Sequence, residues 1–231
     1  SDMNEGATST RLGLIGSPPE AETIILERDL QLVRLTGARY HAAHLTTCAS
    51  LDAIRRAKDE GLPVTADTSA PYFQLNELAV STYSSSAKLN PPLRAEHDRQ
   101  AVITALADGT IDAIVSDHVP VNPDMKYQPF SLASCGASGL EVMLVMTLKL
   151  VANDVISWQR VFELLSLAPA TILDIPGGTL SAGSVADIVV INPTIAWIVT
   201  GREFSSLSRI TPFEGQPVEG KVVRTIVRGT D

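Results

Sequence analysis

Asp117 closes an apolar run, Ile111-Asp112-Ala113-Ile114-Val115-Ser116, and is followed by His118, Val119 and Pro120. A β-branched run that breaks off into an acid and an imidazole reads as a buried parallel strand whose carboxyl end delivers polar groups into a site. A carboxylate there can bind a divalent metal and can take a proton from metal-bound water. The same residues also fit a plain turn, because Asp and Pro favour loops. His118, next in the chain, is expected to face away and support or pack. His41 and His44 stand three apart on a strand candidate, so alternation puts them on opposite faces and at most one enters a site from that strand. An imidazole at a strand end can ligate a metal or serve as a hydrogen-bonded core group. Asn90 precedes Pro91-Pro92-Leu93-Arg94. The prolines make a rigid turn and hold the preceding Asn extended, where its amide could pair with an amide-type substrate or simply link a strand to a helix.

The elements that must position these residues follow a repeating order. Residues 1–18 read as loop, and 19–36 carry apolar positions at helical spacing, stopped by Gly37. A short strand is expected over 38–45, a helix over 50–61 and a strand over 62–66. Another helix spans 93–106, stopped near Gly109, and leads into the strand that ends at Asp117. Helix, glycine and strand recurring at this spacing predict an α/β fold with a parallel sheet, and both a barrel and a doubly wound sheet satisfy the pattern. An irregular stretch runs to about residue 138, then apolar helices are expected over 139–151 and 157–167. From Pro176 the texture turns β-rich, with strands expected around 186–191, 197–200 and 222–227. A boundary is placed near residue 175, dividing the chain into 1–175 and 176–231.

With 45% hydrophobic and 19% charged residues among 231, the chain can bury a sizeable core. Its net charge of −8 and lack of a basic block argue against nucleic acid as partner. Cys48 and Cys135 have no metal or disulfide spacing and read as reduced thiols of a cytoplasmic protein. No apolar run approaches the roughly 18 residues of a membrane span, and the first residues lack the pattern of a signal peptide.

Several segments together resemble dihydroorotase of the long-chain bacterial type, within the amidohydrolase superfamily. They are His41-Ala42-Ala43-His44-Leu45, Leu62 to Asp67, Ala87-Lys88-Leu89-Asn90-Pro91-Pro92-Leu93-Arg94, Asp108 to Ile114, Ser116-Asp117-His118, Gly139-Leu140-Glu141, Ala186-Asp187-Ile188-Val189 and Thr211-Pro212-Phe213-Glu214-Gly215. The resemblance implies the C-terminal portion of a TIM-type (β/α)8 barrel followed by a small β-rich subdomain, with zinc at the barrel mouth. It also implies reversible hydrolysis of dihydroorotate to carbamoyl aspartate, a step of pyrimidine biosynthesis. By position, His44 would be a metal ligand and Asp117 both a ligand and the general base. Asn90 and the backbone around Gly136 would contact the substrate ring.

The departures from the family pattern are specific. The family's first-strand His-x-His pair has no counterpart, so the chain looks like the C-terminal part of a longer protein. Where the family has Pro-His-His, this sequence has Ala70-Pro71-Tyr72-Phe73, and Val121 stands where a His would meet the substrate carboxylate. Tyr is a poor substitute for a neutral nitrogen ligand at zinc. Two alternatives follow: a non-catalytic dihydroorotase-like subunit that supports aspartate transcarbamoylase, and a metal-free α/β binding domain. A half barrel would expose strand edges and is expected to recruit partner surface, as in a homo-oligomer.

Overall fold

The computed structural model describes residues 2–230. In chain order the elements are β1 Met3–Asn4, α1 Ala7–Leu12, β2 Gly16–Ser17, α2 Glu20–Thr36, β3 Tyr40–Ala42, α3 Cys48–Asp59, β4 Val64–Ser69, α4 Ala70–Gln74 and α5 Glu96–Asp108. They continue with β5 Ala113–Val115, α6 Pro123–Lys126, α7 Met143–Ala152, α8 Trp158–Phe162, a π-helical turn Glu163–Leu167, α9 Ala168–Ile172, β6 Ile188–Ile198 and β7 Pro217–Ile226.

Strands β3, β4 and β5 form a parallel sheet with β4 in the middle. His41 is paired with Thr65 and Asp67 with Ala113, so the carboxyl ends of the three strands gather on one side. The crossovers follow from local sequence. Helix α3 is capped by Thr47, whose hydroxyl accepts from Ser50 N at 3.3 Å. Its face Leu51, Ala53, Ile54 and Ala57 is buried. Helix α5 stops at Gly109, whose φ of 88° suits a residue without a side chain. Leu26, Leu30 and Val33 of α2 and Val102, Ala105 and Leu106 of α5 join that face over Ala42, Val64, Ala66 and Ile114 in one apolar core. Truncating Leu106, which is fully buried, would cost about 2–5 kcal/mol.

The opposite face of the sheet is open. His41, Thr65, Asp67, Ala113 and Val115 line a cavity of about 690 Å³, bordered by Pro169, Ile172 and Leu173.

Three expectations change. Residues 1–18 are not plain loop: β1 pairs in parallel with β2 around α1. Two-residue strands are too short to leave a periodicity, and side chains fix them, with Glu77 accepting from Asn4 Nδ2 and Thr8 Oγ1, both at 2.6 Å. The helical run expected over 157–167 continues to Ile172, passing through the π-helical turn Glu163–Leu167 just before Pro169. The strand pieces expected at 186–191 and 197–200 merge into β6, antiparallel to β7, with register shifts between Val190 and Ile191 and between Asn192 and Ala196. Pro193 cannot donate to the ladder, and Asn192 Oδ1 accepts from Thr194 N at 3.0 Å instead. Val199, Phe204, Phe213 and Val218 from this end join the main core.

Candidate active site

The carboxyl ends of β3, β4 and β5 bring His44, Asp67 and Asp117 together. Residues 44 and 117 lie just beyond their strands in left-handed backbone, with φ of 57° and 43°. Such conformations are strained for residues with side chains and gather at sites.

Asp67 is the centre of the cluster and is 4% exposed. Its Oδ2 lies 2.9 Å from His41 Nε2, and its Oδ1 accepts from His44 N at 2.7 Å. His41 Nδ1 is fixed in turn by Thr65 Oγ1 at 2.7 Å. Burial works against the charge on Asp67, but bonds from His41 and His44 prevail and hold it down at about 2. The expectation that His41 and His44 diverge therefore fails. Strand β3 ends at Ala42, and the left-handed backbone at His44 breaks the alternation, so both residues meet one carboxylate.

His44 Nδ1 lies 3.3 Å from Asp67 Oδ1, yet it is buried without a hydrogen bond. The Asp67 carboxylate raises the His44 pKa against desolvation, with Asp117 adding to the rise. The loop carrying His44 is pinned from behind: Glu22 accepts from Thr46 N at 3.1 Å and Thr47 N at 3.2 Å, and also from the Thr46 hydroxyl.

Asp117 is half-buried. Desolvation raises its pKa, opposed by the charge of His44 and a hydrogen bond from Tyr72. A half-buried carboxyl pushed upward is better suited to take a proton than one left in water. Tyr72, on α4, is 3% exposed; its hydroxyl lies beside Asp117 and gives its proton to Pro91 O at 2.9 Å. It thus joins Asp117 to the Asn90-Pro91-Pro92 turn. Asn90 itself is exposed and lines a cavity of about 320 Å³ with Glu22, Tyr40 and Arg94. Arg94 is a buried brace: Nε donates to Thr46 Oγ1 at 3.1 Å and Nη1 to Ser17 O at 2.8 Å.

Gly136 has φ 117°, and a Cβ there would lie 2.6 Å from Val119 Cγ1, so only glycine fits. Val119 N donates to Ala137 O at 3.0 Å, which brings the 136–137 backbone beside the segment just after Asp117. His118 turns away as expected, with Leu140 N donating to its Nδ1 at 3.4 Å.

A catalytic zinc takes three protein ligands and keeps one position open. Among the described residues, no group of three His, Cys, Asp or Glu is arranged to hold a metal. His44 and Asp117 offer two donors. Asp67, the nearest third, is already committed to both histidines, and Tyr72, the other side chain beside Asp117, is a poor ligand for zinc. The described residues therefore do not complete a zinc site by themselves. The sequence does not single out Asp67 or Tyr72 as working residues, and it offers His41 only as an alternative to His44. Asp67 carries the same signal as Asp117, an acid at the end of an apolar strand, whereas Tyr72 carries none.

The profile of the amidohydrolase family matches residues 21–230. The chain belongs to that family. It is 45% identical over 229 residues to a dihydroorotase of Desulfotalea psychrophila, covering 99% of this chain and 54% of the relative. It is 43% identical over 228 residues to a dihydroorotase of Anaplasma phagocytophilum, covering 98% and 51%. The chain thus spans about half the length of the curated relatives it matches. Among solved structures it resembles an L-hydantoinase from Arthrobacter aurescens, with a TM-score of 0.84, 30% identity and coverage of 89% of this chain and 47% of that one. A dihydropyrimidinase from Brevibacillus agri superposes with a TM-score of 0.83 at 25% identity, covering 92% and 48%. In this amidohydrolase the parallel sheet belongs to a TIM-barrel type of fold, and the strand ends that gather Asp67 and Asp117 are where such barrels place their chemistry.

Proposed function

We propose that this chain contributes Asp117, Asn90 and the Gly136 backbone to a dihydroorotase site that opens and closes the cyclic amide of dihydroorotate, with carbamoyl aspartate as the open form. The observation that carries the proposal is Asp117: a half-buried carboxylate at a strand's carboxyl end, raised by desolvation and held by Tyr72. In the hydrolytic direction Asp117 takes a proton from water, and the protonated acid then delivers it to the departing ring nitrogen. The Asn90 amide and the backbone at Gly136 orient the ring. His44 and Asp117 would be this chain's contribution to a zinc centre, which needs at least one further ligand beyond the described residues.

The test uses the full-length protein with Asp117→Asn. Loss of a general base costs about 100- to 10,000-fold in turnover, read as carbamoyl aspartate formed from dihydroorotate. A variant as active as the parent would remove Asp117 from the reaction.

A second reading, a non-catalytic subunit supporting aspartate transcarbamoylase, is favoured by two replacements that the resemblance implies. The segment Ala70-Pro71-Tyr72-Phe73 carries no imidazole, and Val121 is buried with its backbone tied to Ser208 Oγ, donating at 3.3 Å and accepting at 3.0 Å. A full-length preparation that opens no dihydroorotate ring yet co-purifies with aspartate transcarbamoylase would decide for it.

A further inference from the structure

Lys126 is fully buried, at 0% exposure, and among the described residues no carboxylate pairs with it. A buried ammonium is costly unless its protons are all used. Here they are: Nζ donates to Lys88 O at 2.9 Å, Ser134 O at 2.9 Å and Gly136 O at 2.6 Å. Burial lowers the Lys126 pKa to about 8, with Cys135 raising it and Lys88 lowering it further, which leaves the amine mostly charged at neutral pH.

The three carbonyls belong to segments that carry the site. Lys88 lies two residues before Asn90, and its carbonyl also accepts from Gly136 N at 3.0 Å. Gly136 packs against Val119, two residues after Asp117, closely enough that a Cβ would clash. A second lysine closes the back of the knot, because Lys88 Nζ donates to Phe130 O at 2.8 Å and pairs with Asp2 Oδ1 at 3.1 Å. The loop between residues 119 and 138 has little secondary structure to hold it beyond the four-residue α6, so its shape depends on ties such as these and those of Val119 to Ala137 and Val121 to Ser208.

We propose that Lys126 is a positioning residue: its ammonium knots the Lys88, Ser134 and Gly136 carbonyls together and thereby sets the backbone that meets the substrate ring. This rests on the reading above that Asn90 and Gly136 contact that ring. Lys126 touches no substrate; it acts through Gly136.

The experiment compares full-length wild-type protein with Lys126→Met, which keeps the chain length but removes charge and donors, and with Lys126→Arg, which keeps both. Amide hydrogen exchange at Gly136 and Val119 is read against Leu51 and Val102, and dihydroorotate affinity is read by calorimetry. Lys126→Met should speed exchange at Gly136 and Val119 about 10-fold or more, leave the helical amides unchanged, and weaken dihydroorotate binding about 10-fold, the size expected of a displaced binding group. Lys126→Arg should recover part of both losses. Unchanged exchange at Gly136, or faster exchange with unchanged affinity, would overturn the proposal. Should Lys126→Met fail to fold, Lys126→Gln, which removes the charge and keeps two of the three N–H donors, is read by the same criteria. Wild-type protein that binds no dihydroorotate would sink the proposed function and not the knot, which the exchange at Gly136 then decides alone.

Discussion

His41 Nε2 lies 2.9 Å from Asp67 Oδ2, a contact between neighbouring strands that orients the carboxylate toward His44. Thr65 holds the other His41 nitrogen, so the orientation of Asp67 is set by strand register rather than by a flexible loop. The charge state of Asp67 is therefore built into the sheet.

That charge has a consequence for stability. Asp67 is held at about 2 against an ordinary 3.8. A depressed carboxylate contributes stability that is full above its unfolded value and lost as pH falls through the folded one. The window is roughly pH 4 to 2, and the size is on the order of 2 kcal/mol. Urea midpoints of the full-length protein should fall across that window, and Asp67→Asn should flatten the fall. The same variant should lower the His44 titration followed by NMR, since Asp67 is the main cause of its rise. Parallel acid profiles for parent and variant would refute this account.

Tyr72→Phe removes the hydroxyl that donates to Pro91 O and lies beside Asp117. The expected loss of stability is about 1 kcal/mol. The Asp117 carboxyl should titrate higher, because the Tyr72 bond lowers it, and carbon NMR of that carboxyl reads the shift. An unchanged or lower Asp117 titration would show that the hydroxyl does not serve the acid.

Gly136→Ala places a Cβ 2.6 Å from Val119 Cγ1 and 2.8 Å from Val119 O, at φ 117°. Strain and overpacking together should cost about 2–4 kcal/mol, measured by thermal or urea unfolding. Gly6→Ala, where no atom lies within 4 Å of the added Cβ, serves as the control. Equal effects at the two positions would refute the close packing at Gly136.

Zinc content tests the metal reading directly. Tyr72→His places an imidazole near Asp117, so the full-length variant should retain more zinc after dialysis than the parent, measured by atomic emission. Asp117→Asn, removing a proposed ligand, should lower it. If neither substitution changes the metal content, Asp117 is not part of a zinc centre.

The sequence by itself determined the helix-glycine-strand order, the parallel pairing it demands and the position of Asp117 at a strand end. These follow from local periodicity and from stops such as Gly109, which act within a few residues. The order and spacing of several short segments also carried the family. The tertiary structure alone decided that His41 and His44 share Asp67, because a left-handed residue after β3 cancels strand alternation and leaves no mark in composition. It alone showed that Tyr72 links Asp117 to the Asn90 turn and that Lys126 gathers carbonyls from positions 88, 134 and 136. Those contacts join residues many positions apart through hydrogen bonds, and a hydrogen bond depends on where two atoms arrive in space. Asp117, which the sequence presents as a lone acid ending a strand, is in the folded chain one member of a buried network.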